Sequence, residues 1–159
     1  MDMFFTLERG EKTAQVLAGL VEKARLPVAG FKIKEGNSPE GFCEDCTPWP
    51  VYRRGEVWHG EGAHRWFRAE LEIPAEWQGG WVELRVTTGR EGQWDATNPQ
   101  MLLYINGEVV QGMDVNHTAA LLSAAAGGEH FSVALLAYSG TAGADLVLKA
   151  EMVLCCKPT

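Results

Sequence analysis

The chain has 159 residues, enough for one domain with a hydrophobic core, because a chain of about 150 residues buries roughly 68–70% of the surface that it exposes when unfolded. Its formal net charge of −7 and its pI near 5.1 argue against nucleic acid or an anionic membrane as a partner, since both repel an acidic surface. No apolar run is long enough to span a bilayer, and the first residues lack the basic start and apolar centre of a signal peptide, so we expect a cytoplasmic protein.

Residues 10–25 predict one amphipathic helix. Their apolar side chains recur at helical spacing while the charged side chains lie elsewhere. The apolar stripe consists of Val16, Leu17, Leu20, Val21 and Ala24. Pro27 then ends the helix, because proline does not fit a helix interior. We therefore expect an N-terminal helical segment at residues 1–28.

The following residues, 29–55, predict a surface loop. They are rich in glycine, proline, serine and asparagine and show little periodicity, apart from a short strand at residues 31–33. Trp49 and Tyr52 are the large aromatic residues of this stretch, and we expect them to fix the loop to the rest of the domain.

Residues 56–159 predict an antiparallel β-sandwich. Residues 66–73 and 82–86 each alternate apolar and charged side chains, as a strand with one solvated face does, so we expect these two strands to be neighbours in one sheet. Residues 131–138 are apolar at nearly every position and predict a strand buried on both faces, and residues 145–154 alternate again. Several strands without intervening helices indicate an all-β sandwich.

The strongest local signal is a hairpin followed by a polar loop. Residues 101–105 have the composition of a buried strand, and Asn106-Gly107 is the dipeptide that most readily forms a two-residue hairpin turn, so residues 108–110 should return antiparallel. The chain then brings amide, carboxylate and imidazole groups together within a few residues. These groups belong to Gln111, Asp114, Asn116 and His117.

Two interpretations of this polar loop stay open. Asp and Asn side chains often accept hydrogen bonds from the backbone of their own turn, so Asp114, Asn116 and His117 could serve only to cap the loop. Alternatively, the loop contacts a sugar or faces a partner domain. The sequence does not separate the two.

Four cysteines occur in two pairs. Cys43 and Cys46 have the spacing that lets two thiolates reach one tetrahedral zinc ion, but the adjacent Cys155 and Cys156 are not a matching second half. Reduced thiols of a cytoplasmic protein account for both pairs. We therefore predict neither a metal site nor a cofactor.

The six tryptophans are candidates for stacking on sugar rings or for burial at a domain interface, although core packing explains most of them. We select Trp58, Trp66 and Trp94 as candidate site residues. Alternation places Trp66 and Trp81 on the polar faces of their strands, and Trp94 lies in a loop. We therefore expect the rings of Trp66, Trp81 and Trp94 to be exposed.

Several short motifs occur in a fixed order along the whole chain. They are Trp58-His59-Gly60, Trp66-Phe67-Arg68, Ile73-Pro74, Trp77, Gly79-Gly80, Asn98-Pro99, Tyr104-Ile105-Asn106-Gly107, Gln111-Gly112, Asp114 and Asn116-His117. In this combination the sequence resembles the N-terminal domain of glycoside hydrolase family 38 α-mannosidases. It departs from the family pattern at Val115, where many relatives have a basic residue, and at His59, where they have glycine. The resemblance implies a jelly-roll-like, galactose-binding-like β-sandwich that precedes the catalytic portion.

The resemblance also implies that the zinc ligands and the nucleophilic aspartate of such enzymes belong to a later domain. Retaining glycosidases need two carboxyl groups roughly 5–5.5 Å apart, and the sequence offers Asp114 no evident partner. We therefore expect a non-catalytic domain whose partner is an α-mannosidase catalytic domain. The alternative is an independent carbohydrate-binding module.

Overall fold

The structure is a computed structural model that describes residues 22–92, 99–123 and 127–156. Within these ranges the chain forms nine β-strands and one 3-10 turn. In chain order they are β1 (Glu22–Pro27), β2 (Lys32–Glu35), β3 (His64–Glu72), the 3-10 turn Ala75–Trp77, β4 (Trp81–Thr87), β5 (Gln100–Ile105), β6 (Glu108–Met113), β7 (Ala119–Ser123), β8 (His130–Tyr138) and β9 (Lys149–Cys155). No helix among the described residues has the length and apolarity needed to cross a membrane.

The strands form two sheets in which every neighbouring pair runs antiparallel. The four-stranded sheet has the order β1-β9-β4-β7, and the five-stranded sheet has the order β2-β3-β8-β5-β6. The predicted all-β, antiparallel, sandwich-like architecture is confirmed.

The core lies between the two sheets and is built from alternate residues of each strand. Phe67 and Leu135 of the five-stranded sheet and Leu84 and Met152 of the four-stranded sheet belong to one buried cluster. Successive side chains of a strand point to opposite faces, which is why the period-two pattern predicted the inward positions of Phe67, Leu84 and Met152 correctly. Burying one such side chain stabilises the fold by roughly 1.5–3 kcal/mol.

The predicted N-terminal helix is wrong at its C-terminal end. Residues 10–21 lie outside the described residues, and Glu22–Pro27 form strand β1 instead of a helix end. β1 pairs with β9, and the Arg25 guanidinium binds the carboxylates of Glu22 at 2.6 Å and Glu151 at 3.2 Å. Backbone pairing with a strand near the other end of the chain therefore outweighs the local helical pattern, which is only a weak preference.

The two alternating strands at residues 66–73 and 82–86 are not neighbours, contrary to the prediction. β3 belongs to the five-stranded sheet and β4 to the four-stranded sheet, and the turn Ala75–Trp77 lies between them along the chain. Both strands direct their apolar face toward the common core. Alternation therefore identifies the inward face of each strand, but it does not distinguish neighbours in one sheet from partners across the sandwich.

The predicted hairpin forms β5 and β6. Asn106 and Gly107 both have positive φ, 51° and 82°, as the two central residues of a type I′ turn require. The Asn106 side chain also accepts a hydrogen bond from the backbone N–H of Ser132 at 2.9 Å. The turn is thus tied to β8, and β6 is left as an edge strand of the five-stranded sheet.

Residues 36–50, which we call the covering segment, pack on the outer face of the five-stranded sheet. Phe42 stacks on Tyr104, and the Trp66 indole N–H donates a hydrogen bond to the backbone oxygen of Ser38 at 2.9 Å. Trp66 is only 1% exposed, so the expectation of an exposed ring is wrong. Alternation placed Trp66 on the correct face of β3, but the covering segment buries part of that face.

The predicted surface loop at residues 29–55 is therefore partly ordered on the sandwich. It contains β2, close to the strand expected at residues 31–33. Trp49 and Tyr52, which we expected to fix this stretch to the domain, are both buried. The Tyr52 hydroxyl accepts the backbone N–H of Leu148 at 2.8 Å. Burial raises the pKa of this phenol, which stays protonated in the folded protein.

Candidate functional site

The covering segment leaves part of the outer face of the five-stranded sheet open, and a cleft of about 420 Å³ lies there. We call it the outer-face cleft. Its lining includes two neighbouring rows of residues that run across the strands, together with the first residue of the polar loop, Asp114. The first row is His64, Tyr138 and Gln100, and the second is Leu136, Leu102 and Gly112.

The first row supplies three polar side chains from three adjacent strands. Tyr138 of β8 lies opposite His64 of β3 on one side and opposite Gln100 of β5 on the other. The rings of His64 and Tyr138 are in contact, with centroids 4.9 Å apart and planes tilted by 34°. An imidazole, a phenol and a primary amide therefore stand side by side, and each of them has hydrogen-bonding capacity.

The second row supplies the apolar part of the lining. Leu136 lies opposite Leu102, and Leu102 lies opposite Gly112 of the edge strand β6. Gly112 is exposed, and a Cβ atom built on it would meet nothing within 4 Å. The missing side chain of Gly112 thus leaves the cleft open on the side of β6.

Asp114 follows β6 and organises the polar loop. Its Oδ1 atom accepts the backbone N–H groups of Asn116 and His117, both at 2.8 Å, and lies 3.0 Å from the His117 ring atom Nδ1. The hydrogen bond from the Asn116 N–H, followed by those from His117, lowers the pKa of the Asp114 carboxyl although slight burial opposes the shift. These contacts support the interpretation that the loop caps its own backbone, and they keep the carboxylate ionised beside the cleft.

The other polar candidates do not line the cleft. Asn116 and His117 are exposed. The amide nitrogen of Gln111 donates a hydrogen bond to the backbone oxygen of Ala119 at 3.0 Å. Gln111 therefore links edge strand β6 of one sheet to edge strand β7 of the other. Of the four residues selected in the polar loop, Asp114 alone contributes to the cleft.

The selected tryptophans also lie apart from the cleft lining. Trp58 is buried in the core, with its ring centroid 5.7 Å from that of Phe67. Trp66 lies beneath the covering segment, in one cluster with Tyr104 and Leu136. Trp94 lies outside the described residues. Trp81, which the alternation also placed on a polar face, is half-buried.

No group of three or more metal-binding side chains occurs in the part of the chain that the structure describes. Cys43 is exposed and its thiol donates to the backbone oxygen of Glu40 at 3.4 Å. Burial raises the pKa of the Cys155 thiol, which disfavours the thiolate form that a metal requires. None of the described cysteines forms a disulfide bond.

Sequence reasoning missed His64, Gln100 and Tyr138, which form the polar row of the cleft. Their positions in the sequence are far apart, and only the register of β3, β8 and β5 brings them together. Alternation along each strand places these residues on the outer face of the sheet, and this is the signal that the sequence offers. The alternation alone does not show which outward positions the covering segment leaves open.

Comparison with known families gives one match that spans most of the sandwich. A family model described as alpha-mannosidase, jelly roll domain, matches residues 34–148. No curated protein sequence matches the chain.

Solved structures with a similar fold come from glycoside hydrolases. A Bacteroides uniformis β-glucuronidase aligns with a TM-score of 0.52 at 17% identity, over 80% of this chain and 18% of that chain. A glycosyl hydrolase family 2 member from Bacteroides cellulosilyticus aligns with a TM-score of 0.58 at 13% identity, over 82% of this chain and 20% of that one. The Ruminococcus gnavus β-glucuronidase aligns with a TM-score of 0.54 at 12% identity, over 84% of this chain and 29% of that chain. The chain thus spans less than a third of each of these proteins, and the likeness concerns the fold alone.

Proposed function

Because the chain belongs to the α-mannosidase jelly-roll domain family, we propose that it is a non-catalytic domain that supports the catalytic portion of an α-mannosidase-like glycoside hydrolase. The family match carries this proposal, since residues 34–148 take in every strand from β3 to β8. The solved structures add that a sandwich of this fold occurs as a minor part of much longer glycoside hydrolase chains.

The chemistry of Asp114 supports a non-catalytic role. A general acid of a glycosidase needs a raised pKa, so that it carries a proton near neutral pH. The pKa of Asp114 is instead lowered, and one of its oxygen atoms is occupied by two backbone N–H groups. Asp114 is therefore suited to holding a loop and unsuited to delivering a proton.

An exposed apolar edge offers a surface for docking on a catalytic portion. Val109 and Val110 of β6 are 58% and 46% exposed, and Leu121 of β7 is 44% exposed. β6 and β7 are the edge strands of their sheets, and the Gln111 side chain links them. Exposed aliphatic side chains on edge strands are suited to contacts with another protein, and edge strands left open also invite pairing with another chain.

The second candidate function is an independent carbohydrate-binding module. The observation that favours it is the outer-face cleft, which combines an aromatic ring and two leucines with polar side chains. Sites for small ligands commonly have such a mixed lining.

An assembly experiment tests the first candidate. The purified chain is mixed with the catalytic portion of an α-mannosidase of the same family whose own jelly-roll domain has been removed, and size-exclusion chromatography measures complex formation. We expect a complex that Val109→Asp weakens, because a charge at the apolar edge is desolvated on docking. Val57→Asp is the matched control, since Val57 is 50% exposed and lies outside strands β6 and β7.

Two outcomes would contradict this function. One is turnover of an aryl α-mannoside by the pure chain at a rate that survives further purification. The other is the lack of any complex between the folded chain and the catalytic portion.

A further inference from the structure

We propose that the outer-face cleft binds one neutral pyranose unit, seated on the Tyr138 ring and the two leucines and hydrogen-bonded by the polar row. This site deepens the second candidate function and rests on it. The polar loop after the hairpin contributes the boundary of the site through Asp114.

The apolar part of the cleft fits one face of a sugar ring. A pyranose presents C–H groups on its face, and aromatic and aliphatic side chains bind such a face by burying it. Tyr138 lies between His64 and Gln100 in one row, and Leu136 and Leu102 form the adjacent row on the same side of the sheet. An apolar platform and a polar row thus lie side by side on β8 and β5, and the polar row extends onto β3.

The polar row fits the hydroxyl rim of the same ring. Every sugar hydroxyl both donates and accepts a hydrogen bond, so a complementary site needs groups of both kinds. The Gln100 amide supplies two N–H donors and one acceptor oxygen, and the Tyr138 hydroxyl both donates and accepts. The imidazole of His64 adds two ring nitrogens, which donate or accept according to the tautomer. These three side chains come from three adjacent strands of a sheet, which holds them in fixed relative positions.

The charge of the lining selects against an acidic sugar. Among the described residues that line the cleft, Asp114 is the one with a carboxyl group, and none is a lysine or an arginine. A carboxylate accepts hydrogen bonds from hydroxyl groups, whereas it repels the carboxylate of a uronic acid. The hydrogen bonds within the polar loop hold Asp114 in its ionised state, so this selection persists through neutral pH.

The size and the open side of the cleft fit a single ring. Its volume of about 420 Å³ falls in the lower part of the range of roughly 300–1,000 Å³ that is usual for small-molecule sites. Gly112 borders the open side, where a side chain would have free space. A side chain at position 112 would therefore begin in open space at the border of the cleft, and a large one would compete with the ligand for that space.

Titration of the full chain with methyl α-D-mannopyranoside, followed by backbone and side-chain NMR shifts, tests the site. We expect weak binding, with a dissociation constant on the order of 1 mM. We expect the largest shifts at Gln100, Leu102, Gly112 and Tyr138. Methyl β-D-glucuronide, the anionic probe, should bind at least about tenfold more weakly, a difference that corresponds to ~1.4 kcal/mol.

Two variants test the location. Gly112→Leu should abolish binding by filling the cleft, and Tyr138→Ala should weaken it about tenfold by removing the platform, a loss equivalent to ~1.4 kcal/mol. Val57→Leu adds bulk at an exposed position away from the cleft and should bind like the unchanged chain. Thermal melts of all three identify any variant that has failed to fold, and Gly112→Leu is not expected to be one, because its φ lies outside the left-handed region.

Three results would overturn the site: no saturable shifts from the mannoside at concentrations of tens of millimolar, equal or tighter binding of the glucuronide, or binding that Gly112→Leu leaves intact in a folded protein. These results are independent of the assembly experiment. A chain that joins the catalytic portion but binds no sugar refutes the cleft alone. A chain that binds the mannoside but joins no catalytic portion refutes only the supporting role.

Discussion

The Phe42 ring lies on the Tyr104 ring almost in parallel, with centroids 4.9 Å apart and planes 4° from coplanar. Phe42 belongs to the covering segment and Tyr104 to β5, so this contact fixes the segment to the outer face of the sheet. Tyr104 also contacts Trp66, with ring centroids 5.6 Å apart. The three rings mark the boundary between the buried part of that face and the open part that holds the cleft.

Replacing Phe42 with alanine should loosen the covering segment. A stacked aromatic pair contributes about 0.5–1.5 kcal/mol beyond the area that it buries, so we expect Phe42→Ala to lower the free energy of unfolding by roughly 1–2 kcal/mol. Urea unfolding measures the loss. The neighbouring variant Cys43→Ser should leave it unchanged, since Cys43 is exposed and serine retains its hydrogen bond to Glu40. Equal stability of the two variants would show that the stacking contact does not hold the segment.

Gly41 and Gly112 form a matched pair for testing how tightly the covering segment packs. A Cβ atom at Gly41 would overlap the indole ring of Trp66, whereas one at Gly112 would enter open space. Neither glycine has positive φ, so the backbone accepts alanine at both positions. We expect Gly41→Ala to cost about 1–3 kcal/mol through overpacking and Gly112→Ala to cost almost nothing. Thermal or urea melts of the two variants compare them, and similar values would contradict the close packing of the segment.

Local signals predicted the hairpin and the inward residues correctly. Asn106-Gly107 determines its turn through the backbone preferences of two adjacent residues, and the alternation of Phe67 with its neighbours depends only on strand geometry. Both features therefore depend only on residues that are close together in the sequence. The same is true of Asp114, whose hydrogen bonds stay within its own loop.

Long-range contacts account for what the sequence did not show. Whether residues 22–25 form a helix or a strand depends on the presence of β9, and whether Trp66 is exposed depends on where residues 36–50 fold back. The row of His64 and Tyr138 likewise requires the register of β3 with β8. A periodic pattern specifies a face of an element, but it does not specify what packs on that face.

Arg68 should be a strong point of attachment for the covering segment. Its guanidinium is buried and donates hydrogen bonds to the backbone oxygen of Glu44 at 2.6 Å and to the Ser132 hydroxyl at 3.3 Å. Arg68→Met keeps much of the volume but leaves those acceptors without this donor, so we expect a loss of about 1–3 kcal/mol in urea unfolding.

Arg65→Met is the control for Arg68, because both residues belong to β3. Arg65 pairs with the carboxylate of Glu35; the Arg65 side chain is 18% exposed but that of Glu35 is 84% exposed, and an ion pair with such a solvated partner contributes roughly 0–1 kcal/mol. If the Arg65 variant lost as much stability as the Arg68 variant, the segment would not depend on the buried guanidinium.

The last prediction concerns the side chains of the polar loop. Asp114 accepts two backbone N–H groups, whereas Asn116 takes part in that turn through its backbone N–H and its side chain is exposed. Asp114→Ala should therefore lower the free energy of unfolding by about 1 kcal/mol, while Asn116→Ala should change it little. The pKa of Asp114 is lowered on folding from an ordinary value of 3.8, so its contribution is complete above that pH and is lost as the pH falls through the lower folded value. The stability difference between the unchanged chain and Asp114→Ala, measured by urea unfolding from pH 7 to pH 2.5, should accordingly be constant near neutrality and shrink only in acid. A difference that is absent at pH 7, or that grows as the pH falls, would mean that the Asp114 hydrogen bonds do not stabilise the loop.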